Sequence, residues 1–187
     1  MEEQLKEELR SGEKVLWSGK PEAFETMDQT NKQPIIRRAI IIIGMVTAFC
    51  VGYIAYALSK GTEFKPMLVV IALICAVAGA LNYIFDCRKL RRMKYFITDQ
   101  RIIFMVDLPK SLEYAKINSF ELKEDSDGHT SILFGTHAIK AKAYKWRSLA
   151  VSDAYIDEET GYCTRFAMYA VTEAEKAKEI LSRYVPV

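Results

Sequence analysis

Histidine is almost missing from this chain: His129 and His137 are the only two in 187 residues. Both fall in stretches that read as turns, and no carboxylate or cysteine stands at ligand spacing to either. They read as solvated loop residues, and no metal site is expected. The four cysteines, Cys50, Cys75, Cys87 and Cys163, form no CxxC pair. That spacing excludes a zinc ribbon or a dithiol redox motif and leaves free thiols as the expectation. A P-loop and a GxGxxG turn are both absent, so no cofactor is expected. With no nucleophile, base or paired carboxylates in a recognisable pattern, the chain reads as non-enzymatic. The N-terminal stretch MEEQLKEELRSGE is acidic and has none of the apolar character of a secretory signal.

Charge is missing from two long stretches. Ala39–Leu58 and Met67–Phe85 carry no charged side chain, and eight residues separate them. As helices, each is about 30 Å long, the thickness of a bilayer's hydrocarbon core. A backbone in lipid must satisfy its own hydrogen bonds, so a two-helix transmembrane hairpin is expected. A soluble core helix would show a polar stripe, and neither run has one.

Basic residues flank the runs on one side only. Arg37 and Arg38 precede the first; Arg88, Lys89, Arg91, Arg92 and Lys94 follow the second. The connecting loop holds only Lys60, Lys65 and Glu63. Positive charge stays cytoplasmic, so a multi-pass protein of the cell membrane with both termini cytoplasmic is expected. Residues 1–34 carry five basic and eight acidic side chains, residues 35–94 nine and two, and residues 95–187 twelve and fourteen. The basic surplus therefore sits beside the membrane, where these seven flanking residues are candidate contacts to anionic lipid headgroups of the cytoplasmic leaflet. An acidic distal part gives nucleic acid nothing to bind.

Within the spans, Gly44, Ala48 and Gly52 recur at every fourth position, as do Ala72, Ala76 and Ala80. Small residues at this spacing allow close helix approach, and the two stripes fall at matching depth. They are expected to form the internal seam of the hairpin.

Outside the membrane the period changes. Residues 2–10 read as a short helix ending near Gly12, and Val15 and Trp17 alternate as on a strand. Trp17 reads as either a core ring or an interfacial anchor. Residues 22–34 read as a polar connector. After Lys94 come strand-like runs at 95–98, 101–106, 111–115, 117–123, 130–134, 139–144, 146–152 and 162–171, separated by turn signals. Thr172-Glu173-Ala174-Glu175 reads as a capping box, followed by Ala174, Ala177, Leu181 and Tyr184 on one helical face, with Pro186 as the stop. The fold class is therefore an α+β membrane protein, divided as a cytosolic segment 1–34, the hairpin 35–94 and a cytosolic domain 95–187. One basic patch stands out in that domain. Lys140 and Lys142 would share a strand face, with Lys145, Arg147, Tyr144 and Trp146 beside them. It reads either as a site for an anionic headgroup or acidic partner, or as an edge strand guarded against aggregation.

This order of parts resembles the bacterial pleckstrin-homology-like (PH-like) membrane proteins with an N-terminal transmembrane hairpin. The resemblance rests on residues 12–21 (GEKVLWSGKP), on Tyr95, Thr98 and Arg101 in YFITDQRII directly after the hairpin, on the strands led by Ile117 and Ile132, and on the final amphipathic helix. It implies a partly open seven-stranded barrel or sandwich capped by the C-terminal helix. Residues 137–165 depart from it through an added hairpin around Asp157–Glu159. Three functions are expected to compete: an interaction module for a protein partner or a homo-oligomer, then a reader of anionic lipids, and last a transport or enzyme subunit, which would need polar groups in the spans or a catalytic cluster.

Overall fold

The computed structural model describes residues 2–61, 65–106 and 108–185, with residues 2–4 and Ala80 as backbone only. The seam side chain of Ala80, loop residue Glu63 and the helix stop Pro186 fall outside that description.

Two long helices follow from the two uncharged runs: α2, Gln29–Lys60, and α3, Pro66–Arg92, after a short α1 at Glu2–Glu8. Both long helices have the length and apolarity to cross a membrane. They outrun the apolar stretches at one end, by ten residues before Ala39 in α2 and seven after Phe85 in α3. Residues 29–34 are thus helical, not a connector. Asp28 is the N-cap, its side chain accepting from the Asn31 N–H at 3.0 Å. Gly61 ends α2 in the left-handed conformation (φ 60°), and Pro66 opens α3 where a missing N–H is harmless.

The α2 face turned inward is Ala39, Ile42, Val46, Cys50, Tyr53 and Ala57, at alternating steps of three and four. On α3 it is Val69, Ala72, Ala76, Gly79 and Tyr83. A Cβ placed at Gly79 would sit 3.8 Å from Ile42 Cδ1, whereas one at Gly44 or Gly52 would meet nothing within 4 Å. Ala48 is exposed. The stripe Gly44–Ala48–Gly52 therefore does not form the seam. Steps of four precess by about 40° each around a helix, whereas steps of three and four in alternation hold one face.

Among the described residues, eight strands make two antiparallel sheets. The first, in spatial order, is β1 (Val15–Gly19), β2 (Lys94–Thr98), β3 (Arg101–Met105) and β4 (Lys110–Glu113). The second contains β5 (Phe120–Glu124), β6 (Thr130–Phe134), β7 (Tyr155–Ile156) and β8 (Cys163–Met168), in the order β5-β6-β8-β7. The sheets do not close into a barrel. They meet on one side through a bridge between Pro21 and Val171, with Glu22 N–H donating to the Ala170 carbonyl at 2.7 Å. Their facing sides bury Trp17, Tyr95, Ile97, Ile102, Phe104, Phe134 and Phe166 in one core. The outer face of the first sheet, Phe96, Ile103 and Met105, is covered by Leu5 of α1 and Leu9 just after it. Residues 1–34 thus supply a strand and a cover to the sheet that begins after the hairpin.

Three local expectations fail. The segments 139–144 and 146–152 are not strands: α4 (Thr136–Ile139), a 3₁₀ turn at Ala143–Lys145 and α5 (Trp146–Val151) occupy them. Trp146, Leu149 and Ala150 bury one helical face at i, i+3 and i+4, which outweighs the Lys/Ala alternation. The capping box does not form. Glu173, in left-handed conformation (φ 54°), precedes α6 (Ala174–Tyr184) with no side-chain cap. The Thr172 hydroxyl instead donates to the Lys20 carbonyl, joining the two sheets. Helix α6 packs on β6, β1 and β2, with Ala177 and Leu181 fully buried.

Ala76→Leu is expected to splay the hairpin, and Gly52→Leu to leave it unchanged. Cysteine cross-linking between α2 and α3 in membranes reads the difference; equal effects would contradict this seam.

Candidate functional site

The functional side chains converge where the hairpin enters the β domain. Arg147, on α5, is fully buried. Its Nη1 donates to the carbonyls of Glu25 (2.9 Å) and Thr26 (3.3 Å) and to the Tyr83 hydroxyl of α3 (2.8 Å). Its Nη2 donates to the Tyr169 hydroxyl (3.0 Å) and forms an ion pair with Asp28, the N-cap of α2. The guanidinium lies 4.4 Å from the Phe24 ring centre and 5.1 Å from that of Tyr169. Tyr169 then donates to Asp125 at 3.0 Å. A single side chain thereby joins α2, α3, the 24–28 segment and the end of β8. Burial alone would lower the Arg147 pKa, but the Tyr169, Tyr83 and Asp28 oxygens raise it.

The domain also caps α2 directly. Asp127, in the β5–β6 turn, accepts from the Gln29 N–H (3.0 Å) and from the Thr30 N–H (2.9 Å) and hydroxyl (2.5 Å). With Asp28 on Asn31, two carboxylates satisfy the first orphan N–H groups of α2 and complement its dipole. Burial pushes the Asp127 carboxyl up, but these donors outweigh it and hold it below the ordinary range.

A second clasp holds the N-terminal segment. Glu13 accepts from the Thr98 hydroxyl (2.7 Å), from Arg101 Nε and Nη2 (3.1 Å each) and from the Arg10 N–H (2.8 Å). Burial pushes its carboxyl up, and the Arg101, Arg10 and Thr98 donors bring it below the ordinary range. Tyr95 donates to the Tyr169 carbonyl and accepts from its N–H. Tyr95, Thr98 and Arg101 are thus structural.

The four residues of the basic patch are separated. Arg147 is interior, which removes it from any surface. Lys140, Lys142 and Lys145 are exposed, and the 3₁₀ turn at 143–145 packs against α2 while α5 packs against α3. Among the juxtamembrane residues, Arg37, Arg38, Arg88, Lys89 and Arg92 are exposed and Lys94 is half-buried in β2. Arg91 is turned back onto the protein, donating to the Phe24 carbonyl (3.2 Å) and the Thr26 hydroxyl (2.9 Å). His129 lies 3.3 Å from Glu22, and His137 is exposed. Sequence reasoning missed Asp28, Asp125, Asp127 and Tyr169. Asp28 was accessible as an N-cap before Asn31; the bonds of the others at this junction span 22 residues or more, where spacing gives no signal.

Away from this junction, a cavity of about 330 Å³ opens between β4 and β7.

The matching of this chain to protein families, to curated proteins and to solved structures returned no match. The class that can be stated is therefore architectural: an α+β protein with two long apolar helices set into a pair of antiparallel sheets.

Arg147→Met is expected to destabilise the protein by about 3–5 kcal/mol, because it strands the Asp28 carboxylate in the interior. Adding Asp28→Asn, which keeps the cap and removes the charge, is expected to restore part of that loss in thermal unfolding of the detergent-solubilised chain. Below neutral pH, the unfolded chain protonates Glu13 and Asp127 first, at about pH 4. The stability they add is full above that value and is lost as pH falls through their lowered folded pKa values. Glu13→Gln is expected to flatten the acid limb of a plot of Tm against pH.

Proposed function

We propose that this chain is an integral protein of the cell membrane, with two spans and both termini cytoplasmic. Its β domain, of PH-like type, acts as a non-enzymatic interaction module for protein assembly or self-association. The observation that carries the reading is the Arg147–Asp28 clasp, together with the Asp127 cap. Helix α2 passes from its apolar stretch into the domain without a flexible linker, so the domain's surfaces are held at fixed height and orientation. A rigidly presented surface suits a partner of defined geometry. Recruitment needs no lipid reader, because the hairpin already anchors the chain. The exposed arginines at one end of both helices support the cytoplasmic placement. The buried ionisable groups Arg147, Asp28, Arg101 and Glu13 are all engaged in holding elements together.

Anionic-lipid reading is the second proposal. It is favoured by the packing of the 143–145 turn on α2, which sets Lys142 and Lys145 on the side of the domain that meets the hairpin.

Purification in a gentle detergent, with mass spectrometry of co-purifying proteins and lipids, separates the two. A stoichiometric protein, or a defined oligomer of the chain itself, is the outcome expected for the module. Enrichment of anionic lipid alone, lost with Lys142→Glu and Lys145→Glu, would assign the lipid reading instead. The full chain is required, since a fragment starting at residue 95 lacks β1, Glu13 and Asp28.

A further inference from the structure

The two sheets are joined on one side and open on the other. Strand β4 is one edge of the first sheet and β7 one edge of the second. Among the described residues no ladder joins them, and the cavity of about 330 Å³ lies between these two edges. Its floor is apolar: Phe104 and Phe166 meet with ring centres 4.3 Å apart, and Leu112 of β4 lies beside them. Its far wall is Ala154 and Ile156. One boundary is drawn by Lys110, whose ammonium binds Asp153 at 2.7 Å and the Val151 carbonyl at 3.3 Å. The remaining rim charges are Glu113, which pairs with Arg10 at 2.9 Å, and Lys116.

We infer that this cleft is a docking groove for an extended segment of a partner protein, which adds as a strand along β4. The inference rests on the interaction-module reading and names its surface and its ligand class. The rim chemistry selects this occupant. Two lysines and two carboxylates cancel, so neither an anionic headgroup nor a cation finds a field of one sign. Glu113, Asp153 and Lys110 are already paired. What the site leaves open is backbone: an edge strand presents unpaired N–H and C=O groups, and these pair with another neutral backbone. The aromatic floor then accepts every second side chain of that strand, with apolar types favoured. The four residues of β4 set the length of the ladder, while Lys110 with Asp153 marks one end of it. Within β4 there is no proline and no bulge to block pairing, whereas β7 is irregular between Tyr155 and Ile156, so β4 is the edge that can take a strand.

The test uses the full chain in nanodiscs, panned against a displayed library of random twelve-residue peptides. The expected result is selection of uncharged-centre sequences with apolar residues at alternating positions. A selected peptide, synthesised with backbone N-methylation at alternate residues, is expected to lose binding by about tenfold or more, the loss of one to two ladder hydrogen bonds. Ala154→Trp, which fills the cavity from the far wall, is expected to abolish binding. If that variant is poorly folded, the N-methylated peptide on the unaltered protein decides alone. Slowed amide hydrogen exchange in residues 110–113 on peptide binding would place the strand. Selection of peptides without alternation, or binding that survives N-methylation, would overturn the inference. Dimer cross-linking through Ser111→Cys without peptide would also overturn it, by assigning the edge to a second copy. Failure here alongside a stoichiometric co-purifying protein would remove the groove and leave the module reading standing.

Discussion

A guanidinium buried without water must find an acceptor for nearly every N–H, and Arg147 does so by drawing five oxygen acceptors from four parts of the chain. Taking Arg147 and Asp28 out of water costs several kcal/mol per ion, so the pair adds little net stability. Its value is geometric. The planar donor fork accepts one arrangement of Glu25, Thr26, Tyr83, Tyr169 and Asp28, and the Phe24 and Tyr169 rings fix the plane of the guanidinium. A hydrophobic plug of equal volume would fill the space and leave the angle between hairpin and domain undefined.

The rotation of α2 and α3 about their axes follows from that anchor. Asp28 and Asp127 hold the first turn of α2, Tyr83 holds α3, and the helical period carries the orientation outward into the apolar stretch. This decides that Ile42 meets Gly79 while Gly44 and Gly52 face away. The apolar stretches themselves cannot make the choice, because all faces of both runs are about equally apolar. Packing between these stretches therefore depends on polar contacts made outside them.

The β domain is organised by asymmetry between its two seams. On one side, the Pro21–Val171 bridge and the Thr172–Lys20 bond tie the sheets by backbone. The Glu13–Arg101–Thr98 clasp then fixes the segment that carries β1. On the other side, the polar contacts that cross among the described residues are those of Lys110 to Asp153 and to the Val151 carbonyl. A largely exposed ion pair of that kind contributes at most about 1 kcal/mol. The sheets thus splay on the side where β4 and β7 end, above an aromatic floor that keeps the core closed beneath.

Much of the local structure was legible in the sequence. The uncharged runs located both long helices, and β-branched and aromatic clustering placed β2, β3 and β6 within a residue. Thr98, in the Asp99-Gln100 turn, accepts the Gln100 and Arg101 N–H groups, a local bond of the kind its residue type favours. Those features depend on local preference and on apolar period, which a single sequence carries. The failures share a cause. Lys140 to Arg147 alternates like a strand, yet its fold was decided by burial of Trp146 and by the bonds of Arg147 to Glu25, Asp28, Tyr83 and Tyr169. Thr172 has the spacing of a cap, but a carbonyl at Lys20 took its hydroxyl. The small-residue stripe named a smooth helix face without saying which way it would turn. The sequence by itself determined which segments are membrane-length helices, which are strands and where most turns fall, because hydrophobic period and turn chemistry act within a few residues. Only the tertiary structure decided that Arg147 is an interior clasp and that the sheets stay open between β4 and β7, because these follow from pairings whose partners lie far apart in the chain.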